Sequence, residues 1–458
     1  MTAERSQELE YAPVGRLLWR FSWPAIVGMM CNALYNIVDR AFVGRGVGTL
    51  AIAATTVAFP LMLILLALSL LIGVGATALI SIRLGEQKKE EAELVAGNAT
   101  GLLVVLPLCF ALIYLAFPEP ILRLFGASSE VLPYARDFMH IIMLGSVFGS
   151  LGMGMNNFIR AEGNPVMAMS TQVLGALING VLNYLFIFHL HLGIKGSALA
   201  TVLGQLFSTI WVLSYYLTGR SLVKLKLKNL RPRLTVLSSI VSIGFAPFAM
   251  ETAVCLQQVI LNKSVLAYSG DLGLSAVGIL MSIITLLLMP ILGISQGAQP
   301  IIGFNYGARR FNRVKATLKS AAIAATCISV TGYLVMRIWP EEIAGIFTKN
   351  DLALARMAAD AMGVFFGLVF VIGFQIVGSQ YFQAVGKAVQ AAILSLSRQV
   401  LLFIPLLLIL PHFWGINGVW ISAPLADGLS ALITALFIFN EMRFLSTEAS
   451  ARDTDFLR

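Results

Sequence analysis

The chain reads as an all-α integral membrane protein, with twelve transmembrane helices in two related six-helix halves. Three observations predict this. Of 458 residues, 58% are hydrophobic and only 12% are charged, and the mean hydropathy is +0.84. Soluble domains carry about 25% charged residues. Apolar runs of about 20 residues, enough to cross about 30 Å of hydrocarbon at about 1.5 Å per residue, recur along the whole chain. Landmarks of the first half also return in the second, in the same order, after 222 to 224 residues.

The spans are expected near 17–43, 51–82, 95–117, 134–160, 166–189, 195–218, 237–267, 274–304, 317–338, 353–384, 389–410 and 416–440. Several are longer than the bilayer needs, which predicts tilt or protruding ends. Pro24, Pro247, Pro290 and Pro405 fall inside spans and predict kinks. Residues 1–15, MTAERSQELEYAPVG, are polar and mixed in charge and lack the short apolar region of a cleavable signal. The first apolar segment is therefore expected to stay in the membrane. The expected organisation is a tail at 1–15, an N-lobe at 16–218, a basic linker at 219–236, a C-lobe at 237–440 and a second tail at 441–458. Cys31, Cys109, Cys255 and Cys327 lie in spans without a CxxC pair, so they read as small packing residues and not as a disulfide or zinc framework.

Charge placement sets the expected orientation. Of the 32 Lys and Arg residues, 22 fall on the side of the N-terminus, 7 on the opposite side, and Arg40, Lys263 and Arg398 within spans. The positive-inside rule places both termini in the cytoplasm, and the expected location is a prokaryotic inner membrane. The loop GRSLVKLKLKNLRPR contributes most to that balance. It reads as a topology anchor touching anionic lipid, not as a nucleic-acid site.

The repeat is carried by a series of matches. Pro24 pairs with Pro247, Gly75-Ala76 with Gly297-Ala298, RAEGNP with QAVGKA, and GIKGSALA with GINGVWIS. Six spans per copy give both copies the same orientation, which predicts two bundles facing each other across a central cleft. The mismatches bear on function. Asp39-Arg40 falls opposite Asn262-Lys263, and Glu251 falls opposite Gly28. Each half thus carries an intramembrane acid that the other lacks, so the scaffold does not require it.

A charged residue at mid-bilayer costs about 2.5–3.5 kcal/mol on insertion scales and is a functional candidate by default. A carboxyl in low-dielectric surroundings takes up a proton more readily, and with neighbouring oxygens it can instead hold Na⁺. Asp39 is the candidate coupling acid. Asn179 and Asn183, four residues apart on one helical face, and Thr201 are its candidate partners. The competing reading makes these residues interhelical packing glue, and makes Asp39 an interfacial partner of Arg40 or Arg45. Tyr35, Asn36 and Gln257 are further polar candidates for the cleft. Arg398, deep in its span, is expected to neutralise an acid of the second half, with Glu251 the favoured partner. No P-loop appears, so the only expected cofactor is a coupling ion, H⁺ or Na⁺.

The segments FSWPAIVGMMCNALYNIVDRAFVGRGVGTLAIAA, RAEGNP, NGVLNYLFIF, GIKGSALATVLGQ and ISQGAQPIIGFNYGA together resemble the MATE multidrug exporters over roughly residues 14–440, with the MepA-like and DinF-like groups nearest. The resemblance implies two lobes in a V, exporting amphipathic and often cationic drugs in exchange for Na⁺ or H⁺. It matches Asp39 to the family's first-helix Asp, and Asn179, Asn183 and Thr201 to its companions. Many relatives carry Asp where this chain has Asn183, which removes one charge and inclines the reading to H⁺. Glu251 matches the seventh-helix Glu of the NorM-type branch, whose tenth-helix Asp has no counterpart in VIGFQIVGSQYFQAVG.

The alternatives are a lipid-linked oligosaccharide flippase of the same superfamily, a membrane-embedded enzyme and a channel. A flippase should line its cleft with several Arg and Lys, and an enzyme needs a His/Asp/Glu cluster that the sequence does not display. The expected partners are small amphiphiles and the lipid bilayer, without nucleic acid, for a monomeric chain.

Overall fold

A computed structural model describes residues 8–348 and 352–456, and their regular elements are helices. Expectations for Lys349 and for the outermost residues of both tails lie outside the described residues. The first half holds α1 (Val14–Gly46), α2 (Thr49–Gly85), α3 (Lys89–Ala116), α4 (Leu132–Ala161), α5 (Pro165–His189) and α6 (Gly193–Leu217). The second holds α7 (Leu234–Gly270), α8 (Ser275–Gly307), α9 (Phe311–Ile338), α10, α11 (Ala388–Ile409) and α12 (Pro411–Thr447). Helix α10 comes in two pieces, Leu352–Phe365 and Val369–Ala384, bent by 53°.

These helices follow the twelve predicted spans. Ten are long and apolar enough to cross a membrane, and eleven with α10 taken as one bent span, among the described residues. Helix α1 has 33 residues, also enough to cross. Large apolar side chains remain open on their outer faces: Leu112 and Ile113 on α3, Val181 on α5, and Leu432 and Leu436 on α12 are each more than half exposed. Hydrocarbon solvates such faces, whereas water would drive them together.

The repeat recurs in the backbone. Gln87 and Arg309 hold φ of +62° and +55°, Gly163 and Gly386 +85° and +77°, and Gly193 and Gly415 +58° and +55°. Each pair closes the same turn in its own half. In RAEGNP, Gly163 ends α4, the Asn164 side chain caps α5 by accepting from Met167 N at 3.3 Å, and Pro165 takes the first turn, where a missing N–H costs nothing. Helix α5 ends in a π-helical segment, Leu185–His189, and α11 contains another, Ser397–Phe403.

The chain forms two compact units. One comprises Met1–Ala12 and Val27–Phe248, the other Pro13–Ile26 and Ala249–Arg458. The first part of α1 thus belongs with the second unit, and the first part of α7 with the first unit. The assignment changes just after Pro24 and just after Pro247, where the missing N–H interrupts the helical ladder. In the first unit, a Cβ on Gly75 would lie 2.1 Å from the Ile240 carbonyl oxygen, and one on Gly244 1.6 Å from that of Leu71. Glycine is what lets α2 and α7 touch backbone to backbone. In the second unit, a Cβ on Gly297 would lie 2.7 Å from Ser22 N, so α8 and α1 meet in the same way. Apolar cores fill each unit, around Leu61, Phe138, Met139 and Ile142 in the first and Leu280, Phe365, Phe403 and Trp420 in the second.

The basic linker is fastened to the first unit. Buried Glu162 accepts from Ser221 Oγ at 2.7 Å, from Leu222 N at 2.8 Å and from Tyr215 OH at 3.3 Å. Buried Glu93 pairs with Lys226 at 2.5 Å. Asn98 donates to Asn229 O at 2.9 Å and accepts from Arg233 N at 2.7 Å. Burial pushes the Glu162 carboxyl up to about 7, against the lowering effect of these hydrogen bonds.

Candidate functional site

The first unit gathers the predicted polar residues into one cluster. Asn179 and Asn183 stand one turn apart on α5, and Ser197 and Thr201 one turn apart on α6, so each helix presents a polar edge. Helices α5 and α6 approach closely because Gly204 has no side chain. A Cβ there would lie 3.0 Å from Asn179 Cβ and 3.1 Å from Gly175 O. Across this contact Asn179 Nδ2 donates to Thr201 Oγ1 at 3.3 Å. Asn183 Nδ2 donates to Asn179 Oδ1 at 3.3 Å and also to Asp39 Oδ1. Ser197 Oγ donates to the same Asp39 oxygen at 3.2 Å. Tyr35, one turn before Asp39 on α1, interacts with Thr201 and with the Asp39 charge.

The result is a half-buried carboxylate held by donors from two other helices, with Asn179, Asn183, Ser197 and Thr201 all buried. Ser197 is absent from the sequence expectations. Its signal was present, four residues before Thr201 in GSALAT, yet Ser at a helix start is common enough to pass unnoticed. The side chains of Asn36 and Arg40 lie outside the described residues.

The cluster opens onto a cavity of about 250 Å³ within the first unit. Asn179, Thr201 and Tyr35 line it at one end, and Asn32, Asn156, Gln172, Gln205 and Ser208 extend its polar wall. Gly149, Gly152 and Gly175 supply the space. Gly28 matters for Gln172, since a Cβ on Gly28 would lie 1.8 Å from Gln172 Oε1. Three buried acceptors have no partner among the described residues: Asn156 Oδ1, Gln172 Oε1 and Asn183 Oδ1. A buried acceptor without a partner costs about 1–3 kcal/mol, so these oxygens are suited to a ligand or water that donates.

The second unit corrects one expectation. Arg398 does not pair with Glu251. Its Nε donates to Asp427 Oδ1 at 2.6 Å, from the π-helical segment of α11 to α12. The physical reason is packing: that segment lies against α12, and Asp427 is buried at the contact. Glu251, on α7, is largely withdrawn from solvent and makes no ion pair among the described residues. Gln257, also on α7, leaves Oε1 buried and without a partner among the described residues. A further buried network joins α10 to α11, with Ser379 and Ser395 hydroxyls 2.9 Å apart and Gln383 Nε2 donating to Ser395 at 3.4 Å.

The MatE family model matches the chain twice, at residues 24–185 and 247–409. The multidrug export protein MepA of Staphylococcus aureus (strain N315) is 26% identical over 445 residues, covering 96% of each chain. MepA of Staphylococcus haemolyticus (strain JCSC1435) is 25% identical, covering 97% of each. Among solved structures, a ligand complex of the MATE multidrug transporter DinF-BH is 38% identical, with a TM-score of 0.86 over 93% of this chain and 95% of that one. A MATE in the bent conformation shares the fold at a TM-score of 0.92, with 24% identity over 98% and 100%.

Proposed function

The chain belongs to the MatE family, and from that premise we propose that it exports amphipathic, often cationic, small molecules in exchange for protons, with Asp39 as the coupling carboxylate. Membership makes it a multi-pass membrane transporter and not an enzyme. The observation that carries the finer reading is the Asp39 cluster: a single carboxylate held by Asn183 and Ser197 beside a polar cavity.

The single formal charge of the cluster supports H⁺ over Na⁺. Asp39 Oδ1 is met by an amide N–H and a hydroxyl, which stabilise a bare carboxylate by hydrogen bonding. Hydrogen bonds to ionised acceptors are the strong ones. A tight Na⁺ site gains from more than one formal negative charge, and with Asn at 183 Asp39 supplies the one acidic side chain among the residues named in this cluster. Protonation of Asp39 would remove the charge that these donors serve and loosen the link between α1, α5 and α6. A cationic drug competes for the same charge, so ion and drug binding become reciprocally linked. The relatives' name, multidrug export protein, supports export over the flippase alternative. The further elements of the reading are both termini in the cytoplasm, residence in a bacterial inner membrane and alternating access between two states.

The test is transport in proteoliposomes with Na⁺ and pH gradients imposed separately. Export of a cationic dye driven by the pH gradient alone is the expected result. Export that follows the Na⁺ gradient and ignores the pH gradient would overturn proton coupling.

A further inference from the structure

Arg398 stands in the π-helical segment Ser397–Phe403 of α11. A rise of about 1.5 Å per residue from Lys387 places it about 17 Å along, near the middle of a hydrocarbon layer about 30 Å thick. Its Nε donates to Asp427 Oδ1 at 2.6 Å, and the Asp427 side chain is only 5% accessible. The carboxylate is thus a buried anchor that fixes the guanidinium. The two terminal Nη groups make no hydrogen bond among the described residues, while the side chain remains 23% accessible. A guanidinium carries five N–H donors in a planar fork, and here one is engaged. At membrane depth the others need water or a ligand, because hydrocarbon accepts no hydrogen bond. The fork formed by the two Nη groups matches the paired oxygens of a carboxylate or phosphate.

The duplication provides an independent observation. Gly193 and Gly415 fix the offset at 222 residues in the sixth helix of each half, and Gly163 and Gly386 at 223 before the fifth. On these offsets Asp427 corresponds to Gln205, and Arg398 to Gly175. Gln205 and Gly175 both line the cavity of the first unit. Where the first unit has a neutral amide and a glycine on a cavity wall, the second has a carboxylate and a guanidinium. The fold does not require charge there, and the placement coincides with a ligand-sized space in the sister unit.

We propose that Arg398, held by Asp427, is an anion-recognition site in the second unit that receives the carboxylate or phosphate group of an amphiphile. The proposal rests on the export reading and narrows it: the chain takes zwitterionic amphiphiles as well as cations.

The test uses the full chain in nanodiscs and two dyes on one xanthene scaffold. One is a zwitterion with a free carboxylate, and the other is its ethyl ester, a cation only. Fluorescence anisotropy should show the zwitterion binding about tenfold more tightly to the unmodified protein, the size of one charge-assisted contact. Arg398→Gln alone leaves Asp427 buried without its partner and endangers the fold. The deciding variant is therefore Arg398→Gln with Asp427→Asn, neutral like the first unit, and it should lose the preference. Nanodiscs with and without phosphatidylglycerol separate the sources of the anion. A preference that weakens only with phosphatidylglycerol supports a lipid headgroup as the bound anion, and one unaffected by it supports a soluble amphiphile. Equal affinity of the unmodified protein for both dyes, or a preference that survives in the double variant, overturns the proposal and leaves the export reading standing. Binding of neither dye overturns the export reading with it.

Discussion

Asp39 receives its donors from residues that lie 144 and 158 positions away in sequence, Asn183 and Ser197. Substitution Asp39→Asn keeps the shape and removes the charge. Membrane level should stay close to that of the unmodified protein, while gradient-driven dye export in proteoliposomes falls to the leak rate. Export at the parental rate would make the carboxylate structural. Ser197→Ala removes one hydrogen bond to the carboxylate, a contact of the class worth about 1.5–3 kcal/mol. The expected outcome is reduced export at intact expression, with the pH profile of transport displaced from the parental one. An unchanged profile would show that Ser197 only packs.

At the scale of elements, close helix contacts and the linker make separable predictions. Gly244 meets the Leu71 carbonyl in a space no methyl can enter. Gly244→Ala should therefore lower stability by about 1–3 kcal/mol, the usual cost of overpacking, seen as a lower melting temperature of the purified protein. Gly278 on α8 has nothing among the described residues within 4 Å of where a Cβ would sit, so Gly278→Ala should be neutral or stabilising by up to about 1 kcal/mol. Equal responses of the two would refute the close-packing account. The linker adds a pH dependence. Glu162 lies beyond the end of α4, and burial raises its carboxyl to about 7 in the fold from 4.5. The folded state therefore binds this proton more tightly than the unfolded state. Its contribution to stability is complete below about 4.5 and is lost as pH rises through about 7. Melting temperatures of the parent and Glu162→Gln, compared across that window, should diverge with the parent gaining at low pH. Parallel curves would remove Glu162 as the titrating group.

For the whole molecule, the orientation and the division into units are the testable matters. Reporters fused at the N-terminus and within residues 219–233 should both read cytoplasmic, because six spans separate them and basic residues concentrate on that side. A periplasmic signal from either would overturn the orientation. Helices α1 and α7 each change unit beside a proline, at Pro24 and Pro247, in equivalent places of the two halves. The duplication therefore extends beyond the fold of each half to the way its first helix is divided.

Hydropathy alone determined the class and placed the helices to within about seven residues at their ends, because lipid demands a continuous apolar stretch for every crossing. The repeat was equally legible, since Gly163 and Gly386, or Gly193 and Gly415, mark turns that need a positive φ. Asp39, Asn179, Asn183 and Thr201 stood out for the cost of placing polar groups in hydrocarbon. Their partners were less legible. Ser197 joined them only when α5 and α6 closed on Gly204, and Arg398 found Asp427 and not Glu251 because its helix packs against α12. The same holds for Glu93, Asn98 and Glu162, whose linker partners lie 59 to 135 residues away. Sequence determined which residues are costly to bury, a property of each side chain and its neighbours along the chain. Tertiary structure decided which groups repay that cost, because hydrogen bonds form between atoms that packing brings within about 3 Å, whatever their distance in sequence.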